Sequence, residues 1–357
     1  MAKILFGIDS LVLGGLERQF CLLLKHLPTE WETRVVSLGN GPFTEVLSSQ
    51  GEQVVIFPRR YRYDLNPVLN TWGIIRKYNP SIFHSWGGLI SSISAPVCKI
   101  KQIKFISSIR SGGPPKRHLM RVRIVKSLSD KVVANSKAGI DSFKVPQAKE
   151  KVIYNALDPD RIDLINKKNK SYKDATTVVM AARMVSEKDF SSFIEAAKII
   201  TKTQDSGWKF VALGTGEYRS AYLNKAEQLV NRGIMEFPNA ELEIIPYLLK
   251  ADIGVLLTNT ELHQEGFSNS IMEYMACGLP VICSDSGGNK EMVVDQETGF
   301  ILQTAEVDEL VERLLFLSNN PDISKNMGEM GRRRIDNMCS VDHMVDEYVN
   351  IYKELLN

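Results

Sequence analysis

Short runs rich in β-branched residues recur along this chain with helical patterns between most of them, and that alternation constrains the fold more than any other feature. KILFGI, TRVVSL, QVVIF, SIFH, KFISSI, KVVA and KVIY read as strands in the first half. TVVMA, WKFVAL, DIGVLL, PVIC and GFIL read as strands in the second. Stretches such as LERQFCLLLKHL and SSFIEAAKIITKT carry the 3.6-residue apolar period of helices. Strand–helix–strand order predicts βαβ units and parallel sheets, an α/β fold. A chain of 357 residues exceeds one ordinary core, so two domains are expected. The polar, weakly periodic DPDRIDLINKKNKSYKDAT places the linker near 160–175, giving domains 1–165 and 166–340 of similar size. Ligands of open parallel sheets bind beyond the carboxyl ends of the strands. Two such domains facing each other would make a cleft, and active residues should fall just after strands.

Composition narrows the class. With 44% hydrophobic and 24% charged residues the chain has an ordinary globular balance. No apolar run approaches the length of a membrane span. MAKILFGIDS reads as a first strand and not as a leader. Cys21, Cys98, Cys277, Cys283 and Cys339 are odd in number and form no C-x-x-C pair, so a reducing, cytoplasmic setting is expected. The net charge of +2 hides a split: residues 1–165 hold 24 Lys/Arg against 13 Asp/Glu, and residues 166–357 hold 20 against 29. The densest basic stretch, Lys99–Lys131, has ten Lys/Arg and only Asp130 acidic. Within it KRHLMRVRIVKSL interleaves cations with Leu119, Met120, Val122, Ile124 and Val125. Read as a helix it is either an interfacial face for an anionic membrane surface or a sheet-packing helix with solvated cations. No nucleic-acid partner is expected.

Several constellations follow strands. Gly14-Gly15 ends the turn after KILFGI and opens a helix, a place where backbone can approach a phosphate; a flexible turn is the alternative. LGTGEYR offers Gly214 and Gly216, but Arg219 stands where a dinucleotide fingerprint needs glycine. In AARMVSEKDF, Arg183 and Lys188 are spaced to clamp a diphosphate, or are a solvated surface pair. His84 in SIFHSWGG and Arg110 in SSIRSGG also sit at strand ends, where each could equally be structural or solvated. Asp158 and Asp160 imitate a metal-binding D-x-D, yet Pro159 between them reads as a turn and cap.

The densest constellation is EGFSNSIMEYMACGLPVICSDSGGNKE. Glu265 should sit at the lip of a loop after DIGVLL. Gly266, Phe267, Ser268 and Asn269 lead into a helix whose free N–H groups could receive phosphate or sugar hydroxyls. Glu273 lies in the first turns of that helix. The competing readings are a solvated Glu265 and a capping box between Ser270 and Glu273. Gly287-Gly288 after PVIC adds a third glycine turn.

Taken in order, these segments resemble glycosyltransferase family 4, of GT-B architecture with two Rossmann-like domains across a cleft. The resemblance covers nearly the whole chain: GGLERQFCLLLKHL, VVANSKAGIDSF, VIYNALDPDRI, AARMVSEKDF, LGTGE, and the E-x7-E signature in EGFSNSIMEYMACGLPVICSDSGGNKEMV. It implies a retaining sugar transferase taking a nucleotide-sugar donor, a UDP-sugar by expectation, to a glycan or lipid-linked acceptor. No metal or other cofactor is expected, because cations and helix termini can stabilise the departing nucleoside diphosphate. The resemblance implies that Arg183 and Lys188 hold the diphosphate near the Gly14-Gly15 backbone and the Gly214 turn. Glu273 would bond the ribose and Glu265 the donor sugar, with Gly266–Asn269 binding sugar and phosphate. His84 would be an acceptor or donor-sugar contact. Arg110 stands where many members have a histidine and is expected to join Glu265, Arg183 and Lys188 as a catalytic residue, reaching the donor sugar or phosphate; Asn155-Ala156 stands where Asn-Gly is familiar. CSVDHMVDEYVNIYKELLN resembles the family's final helix, so residues 341–357 are expected to cross back to the first domain. A silent nucleotide-sugar-binding subunit and a sugar-nucleotide epimerase of the same architecture are the rival readings.

Overall fold

The computed structural model describes residues 1–61, 64–114, 119–166, 175–203, 207–239, 243–303 and 306–357. The chain divides into two units: Met1–Ala156 with Ser340–Asn357, and Leu157–Cys339. In the first, β1 (Ala2–Ile8), β2 (Trp31–Ser37), β3 (Val54–Ile56), β4 (Ile82–Ser85), β5 (Lys104–Ile109), β6 (Lys131–Ala134) and β7 (Glu150–Val152) form one parallel sheet of order β3-β2-β1-β4-β5-β6-β7. In the second, β8 (Thr176–Ala181), β9 (Trp208–Leu213), β10 (Met235–Glu236), β11 (Ile253–Leu256), β12 (Val281–Ser284) and β13 (Gly299–Leu302) form another, of order β10-β9-β8-β11-β12-β13. Both orders reverse beside the first strand of the unit. That is the position at which open α/β sheets leave a crevice at their carboxyl edge.

Strand periodicity builds the first core. Ile4, Phe6 and Ile8 point to one face and pack with Phe20, Leu23, Tyr348 and Tyr352. Leu5, between them, points to the other face with Phe83, Phe105, Ile90 and Ile75. With both faces covered, β1 is apolar and buried from Ile4 to Ile8, as parallel central strands are. The terminal helix Val341–Leu356 supplies the two tyrosines, burying Val341, Met344, Val345, Tyr348, Val349 and Tyr352 at helical spacing. Ser340 caps it, its hydroxyl accepting from the His343 amide at 3.4 Å.

The boundary between the units falls at Ala156/Leu157, ahead of the expected 165/166, and the reason is local. The Asp158 carboxylate accepts from the Asp160 amide at 3.1 Å, making the turn that starts helix Pro159–Asn166. That helix is tied into the second unit by Arg161, described below. The return crossing lies beside the outgoing one, where the Leu157 amide donates to the Cys339 carbonyl at 2.9 Å. Residues 167–174 of the expected linker lie outside the described residues.

The basic helix divides the two readings of its sequence. Helix Leu119–Leu128 has no fully buried residue. Val125 and Leu128 pack against the Leu5–Phe83 core, while Met120 is 76% and Ile124 51% exposed. Lys116 and Arg117 lie outside the described residues. No helix among the described residues is long and apolar enough to cross a membrane.

Candidate active site

The second unit gathers its charged residues beyond the carboxyl ends of β8, β11 and β12. The segment after β8 buries Met184 and returns at Lys188, which bridges Thr258 in antiparallel fashion. That bridge carries the half-buried Lys188 to the buried carboxylate of Glu265, with which its ammonium forms an ion pair. Thr258 donates its hydroxyl to the same carboxylate oxygen at 2.6 Å. The backbone of Glu265 is fixed as well. Its amide donates to Ser286 Oγ at 3.1 Å, and its carbonyl accepts from the Gly288 amide at 2.9 Å. Gly287 lies at φ +46° with a Cβ position only 2.1 Å from that carbonyl oxygen, so any side chain there would collide with the loop.

Glu265 is 6% exposed, which rules out the solvated reading. Burial alone would raise its carboxyl. The Lys188 charge, the nearby His263 and the hydrogen bonds from Lys188 and Thr258 overcome that and hold it below the ordinary value. Glu265 is therefore an ionised, neutralised carboxylate. His263 Nε2 lies 3.9 Å from its second oxygen. Burial lowers the His263 imidazole pKa more than the carboxylate raises it, with Lys188 and Arg183 adding to the lowering. Arg183 is exposed and makes no hydrogen bond or ion pair with another described residue.

Glu273 projects from helix Asn269–Ala276 and is 2% exposed. The Ser270–Glu273 capping box does not form: the N-cap is Ser268, and the Ser270 hydroxyl donates to the Ala181 carbonyl at 2.7 Å. Arg161 meets Glu273 instead, donating from Nη1 to Oε1. The same guanidinium forks onto Glu243 through Nε at 3.1 Å and Nη2 at 2.8 Å. Burial opposes the Arg161 charge, and the Glu273 and Glu243 carboxylates more than offset it, so its pKa is raised. The helix itself is moored by Tyr274, whose hydroxyl accepts from the Ala181 amide at 2.6 Å and donates to the Val255 carbonyl at 3.2 Å. Gly266 and Phe267 are buried before its N-terminus, and Ser268 and Asn269 are half-buried.

Gly214 and Gly216 support the Arg183 segment from beneath. Both have positive φ, and a Cβ would meet the Ala182 and Met184 carbonyls at 2.0 and 2.2 Å. Their requirement for glycine thus comes from this backbone contact.

The remaining expected residues are in the first unit. At Gly14-Gly15 the buried carboxylate of Glu17 lies against Gly14, 2.2 Å from its Cβ position, and accepts from Ser10 Oγ at 3.4 Å. An acid of the chain itself thus occupies the space above a turn expected to receive phosphate. His84 is completely buried, Nδ1 2.8 Å from the Tyr352 hydroxyl and Nε2 3.0 Å from Ser108 Oγ. With both nitrogens engaged inside the core it is a structural residue, and the expectation of a ligand contact is corrected. Arg110 stacks on Trp86, guanidinium carbon 3.7 Å from the ring centre, and donates to the Tyr348 hydroxyl at 2.7 Å.

Arg161, Glu243, Thr258, His263 and Ser286 escaped the sequence reading. Arg161 and Ser286 had a signal in their places within the VIYNALDPDRI and EGFSNSIMEYMACGLPVICSDSGGNKE segments; the others are single polar residues in loops.

Comparison with known proteins agrees with this assembly. The family model described as glycosyltransferase family 4 matches residues 13–161, and that of glycosyl transferases group 1 matches residues 161–334. The capsular polysaccharide biosynthesis glycosyltransferase CapM of Staphylococcus aureus is 24% identical over 242 residues, 66% of this chain and 61% of that protein. A GDP-mannose-dependent monoacylated α-(1-6)-phosphatidylinositol monomannoside mannosyltransferase of Corynebacterium glutamicum is 30% identical over 191 residues, 52% of this chain and 49% of its own. The matches therefore span about half to three-fifths of these curated relatives. Among solved structures, Anabaena HepE in complex with UDP-glucose superposes with a TM-score of 0.82 at 19% identity, covering 99% of this chain and 100% of that one. Staphylococcus aureus TarM in complex with UDP gives 0.77 at 12% identity, covering 99% and 100%. At such identities the likeness is one of fold.

Proposed function

The chain belongs to the group 1 glycosyl transferases of family 4, with their GT-B architecture, and from that premise we propose that it moves a sugar from a nucleotide-sugar donor to a glycan or lipid-linked acceptor with retention of configuration. The observation that carries this reading is the part-buried Lys188–Glu265 ion pair beyond β8 and β11, with Arg183 exposed nearby in sequence. A UDP-sugar is the proposed donor, supported by the UDP complexes of the similar folds.

Chemically, departure of the nucleoside diphosphate builds negative charge on its oxygens. Lys188 and Arg183 are cations suited to meet it without a metal. The acceptor hydroxyl attacks C1 on the face from which the diphosphate leaves, and a diphosphate oxygen takes the hydroxyl proton as the C1–O bond breaks. Glu265, ionised and matched by Lys188, suits contact with sugar hydroxyls better than covalent attack. Glu273, immobilised by Arg161, suits the ribose hydroxyls, with Gly266–Asn269 beside the sugar and phosphate. The exposed Met120, Arg123 and Ile124 extend the proposal to a cytoplasmic enzyme touching an anionic membrane face. Vesicle co-sedimentation that weakens with salt and with Arg123→Ser tests that extension.

The test of the main reading is slow donor hydrolysis by the purified chain across a panel of nucleotide sugars, with calorimetric binding of each. Release of sugar from one donor, lost in Lys188→Ala, is the expected result. Donor binding with no turnover in the presence or absence of acceptors would leave a silent binding subunit, and conversion to an epimeric nucleotide sugar would establish the other rival.

A further inference from the structure

The first unit holds a pocket of about 270 Å3 at the carboxyl ends of β4 and β5, walled on one side by helix Leu119–Leu128. Three cations, Arg110, Arg121 and Lys126, line it together with Trp86, Val122, Val125, Val132 and Phe143, and no Asp or Glu contributes to its lining. Lys126 is already engaged, its ammonium donating to the carbonyls of Phe143 and Lys144 at 2.9 and 2.8 Å. The two arginines are not fully engaged. Arg110 has a buried Nε with no acceptor. Arg121 reaches over Gly88, Nη2 lying 3.4 Å from the Gly88 Cβ position, and has no hydrogen-bond or ion-pair partner among the described residues. The adjoining N-terminus of helix Gly88–Lys101 offers little to an anion, because Asp9 already accepts from the Leu89 and Ile90 amides at 3.1 and 2.7 Å.

Positive charge beside apolar walls is unfavourable without a counter-ion, and a guanidinium with unused donors suits phosphate oxygens. The volume lies just below the range of about 300–1,000 Å3 of drug-sized ligand sites. It admits a phosphate and the first few carbons attached to it. We infer that this pocket holds the phosphate ester of an anionic amphiphile, with Arg121 and Arg110 on the phosphate and Val122, Val125, Val132 and Phe143 on the adjoining carbons. Calling that ligand the acceptor rests on the transferase reading; its binding does not.

Calorimetry on the whole chain, below the micellar range, tests this with four probes: octyl phosphate, inorganic phosphate, glucose 1-phosphate and octyl glucoside. Octyl phosphate should bind at one site, at least about ten-fold more tightly than the other three, since charge and apolar contact each contribute. Arg121→Ser should weaken it by about ten-fold, the usual loss of a charged hydrogen bond. Val122→Glu, which places a carboxylate in the wall, should weaken it as much while leaving UDP affinity unchanged. Equal binding of octyl glucoside would overturn recognition of the anion. Equal binding of glucose 1-phosphate would overturn the amphiphile in favour of a soluble sugar phosphate. Octyl phosphate binding indifferent to both substitutions would overturn the site. UDP is titrated in parallel: its failure to bind counts against the donor reading alone, and its binding without octyl phosphate counts against this inference alone.

Discussion

Nη1 of Arg161 donates to Oε1 of Glu273 across 112 positions of sequence, and both side chains are buried. The arginine also forks onto Glu243, so a single guanidinium aligns the carboxylate that ends the E-x7-E signature. Arg161→Ala takes the guanidinium away from the buried Glu273 carboxylate. Removing one partner of such a pair typically costs about 3–5 kcal/mol. We expect that loss in urea unfolding and a parallel weakening of UDP binding. Arg161→Lys should restore part of the stability, since it keeps the charge and loses the fork. UDP affinity unchanged in the alanine variant would refute the alignment role.

The two glutamates should fail differently when changed to Gln. Glu273→Gln should weaken binding of nucleotide and of free nucleoside diphosphate alike. Glu265→Gln should lower kcat while UDP affinity holds or rises, because Lys188 loses a competing carboxylate and keeps its charge for phosphate. Equal loss of UDP affinity in both variants would point to a shared folding defect.

On the proposed reading, in which Lys188 and Arg183 meet the diphosphate, turnover should persist in EDTA. Lys188→Ala should cut kcat by about 10²–10³-fold, the usual effect of removing one preorganised electrostatic donor. Activity abolished by chelation and restored by magnesium or manganese would contradict this.

Stability should fall as pH drops below neutral, and His84 is a principal reason. Complete burial, then the Arg110 charge, hold its imidazole well below the ordinary 6.5, so the folded chain keeps it neutral where the unfolded chain binds a proton. The unfolded state then holds more protons below pH 6.5, and stability is progressively lost as pH falls from there toward the depressed folded value. Half-buried His263 is depressed in the same direction and adds to the slope. Urea unfolding at pH 7.5 and 5.5 should show the loss. His84→Gln should be less stable at both, because Tyr352 and Ser108 lose their fitted partner, but should show a smaller difference between them. An unchanged slope would remove His84 from the account.

Local pattern determined most of the fold. KFISSI, KVVA, WKFVAL and GFIL became β5, β6, β9 and β13 without shift, because a buried parallel strand needs a short β-branched run whatever surrounds it. Among the described residues only the two-residue β10 passed unseen, being too short to show a period. The E-x7-E stretch, Arg183 and Lys188 stand out in the sequence because they interrupt an apolar pattern just after strands, where loops carry function. The tertiary structure alone decided their partners. Lys188 finds Glu265 across 77 positions and Arg161 finds Glu273 across 112. It also replaced the Ser270–Glu273 cap with a bond from Ser270 to Ala181, sealed His84 between Tyr352 and Ser108, set Glu17 against Gly14, and parted Val125 from Met120 on one basic helix. Sequence period fixes which face of an element is apolar. Which polar group another polar group meets depends on how distant elements stack, and burial then makes that meeting obligatory because an unpaired charge there costs too much to keep.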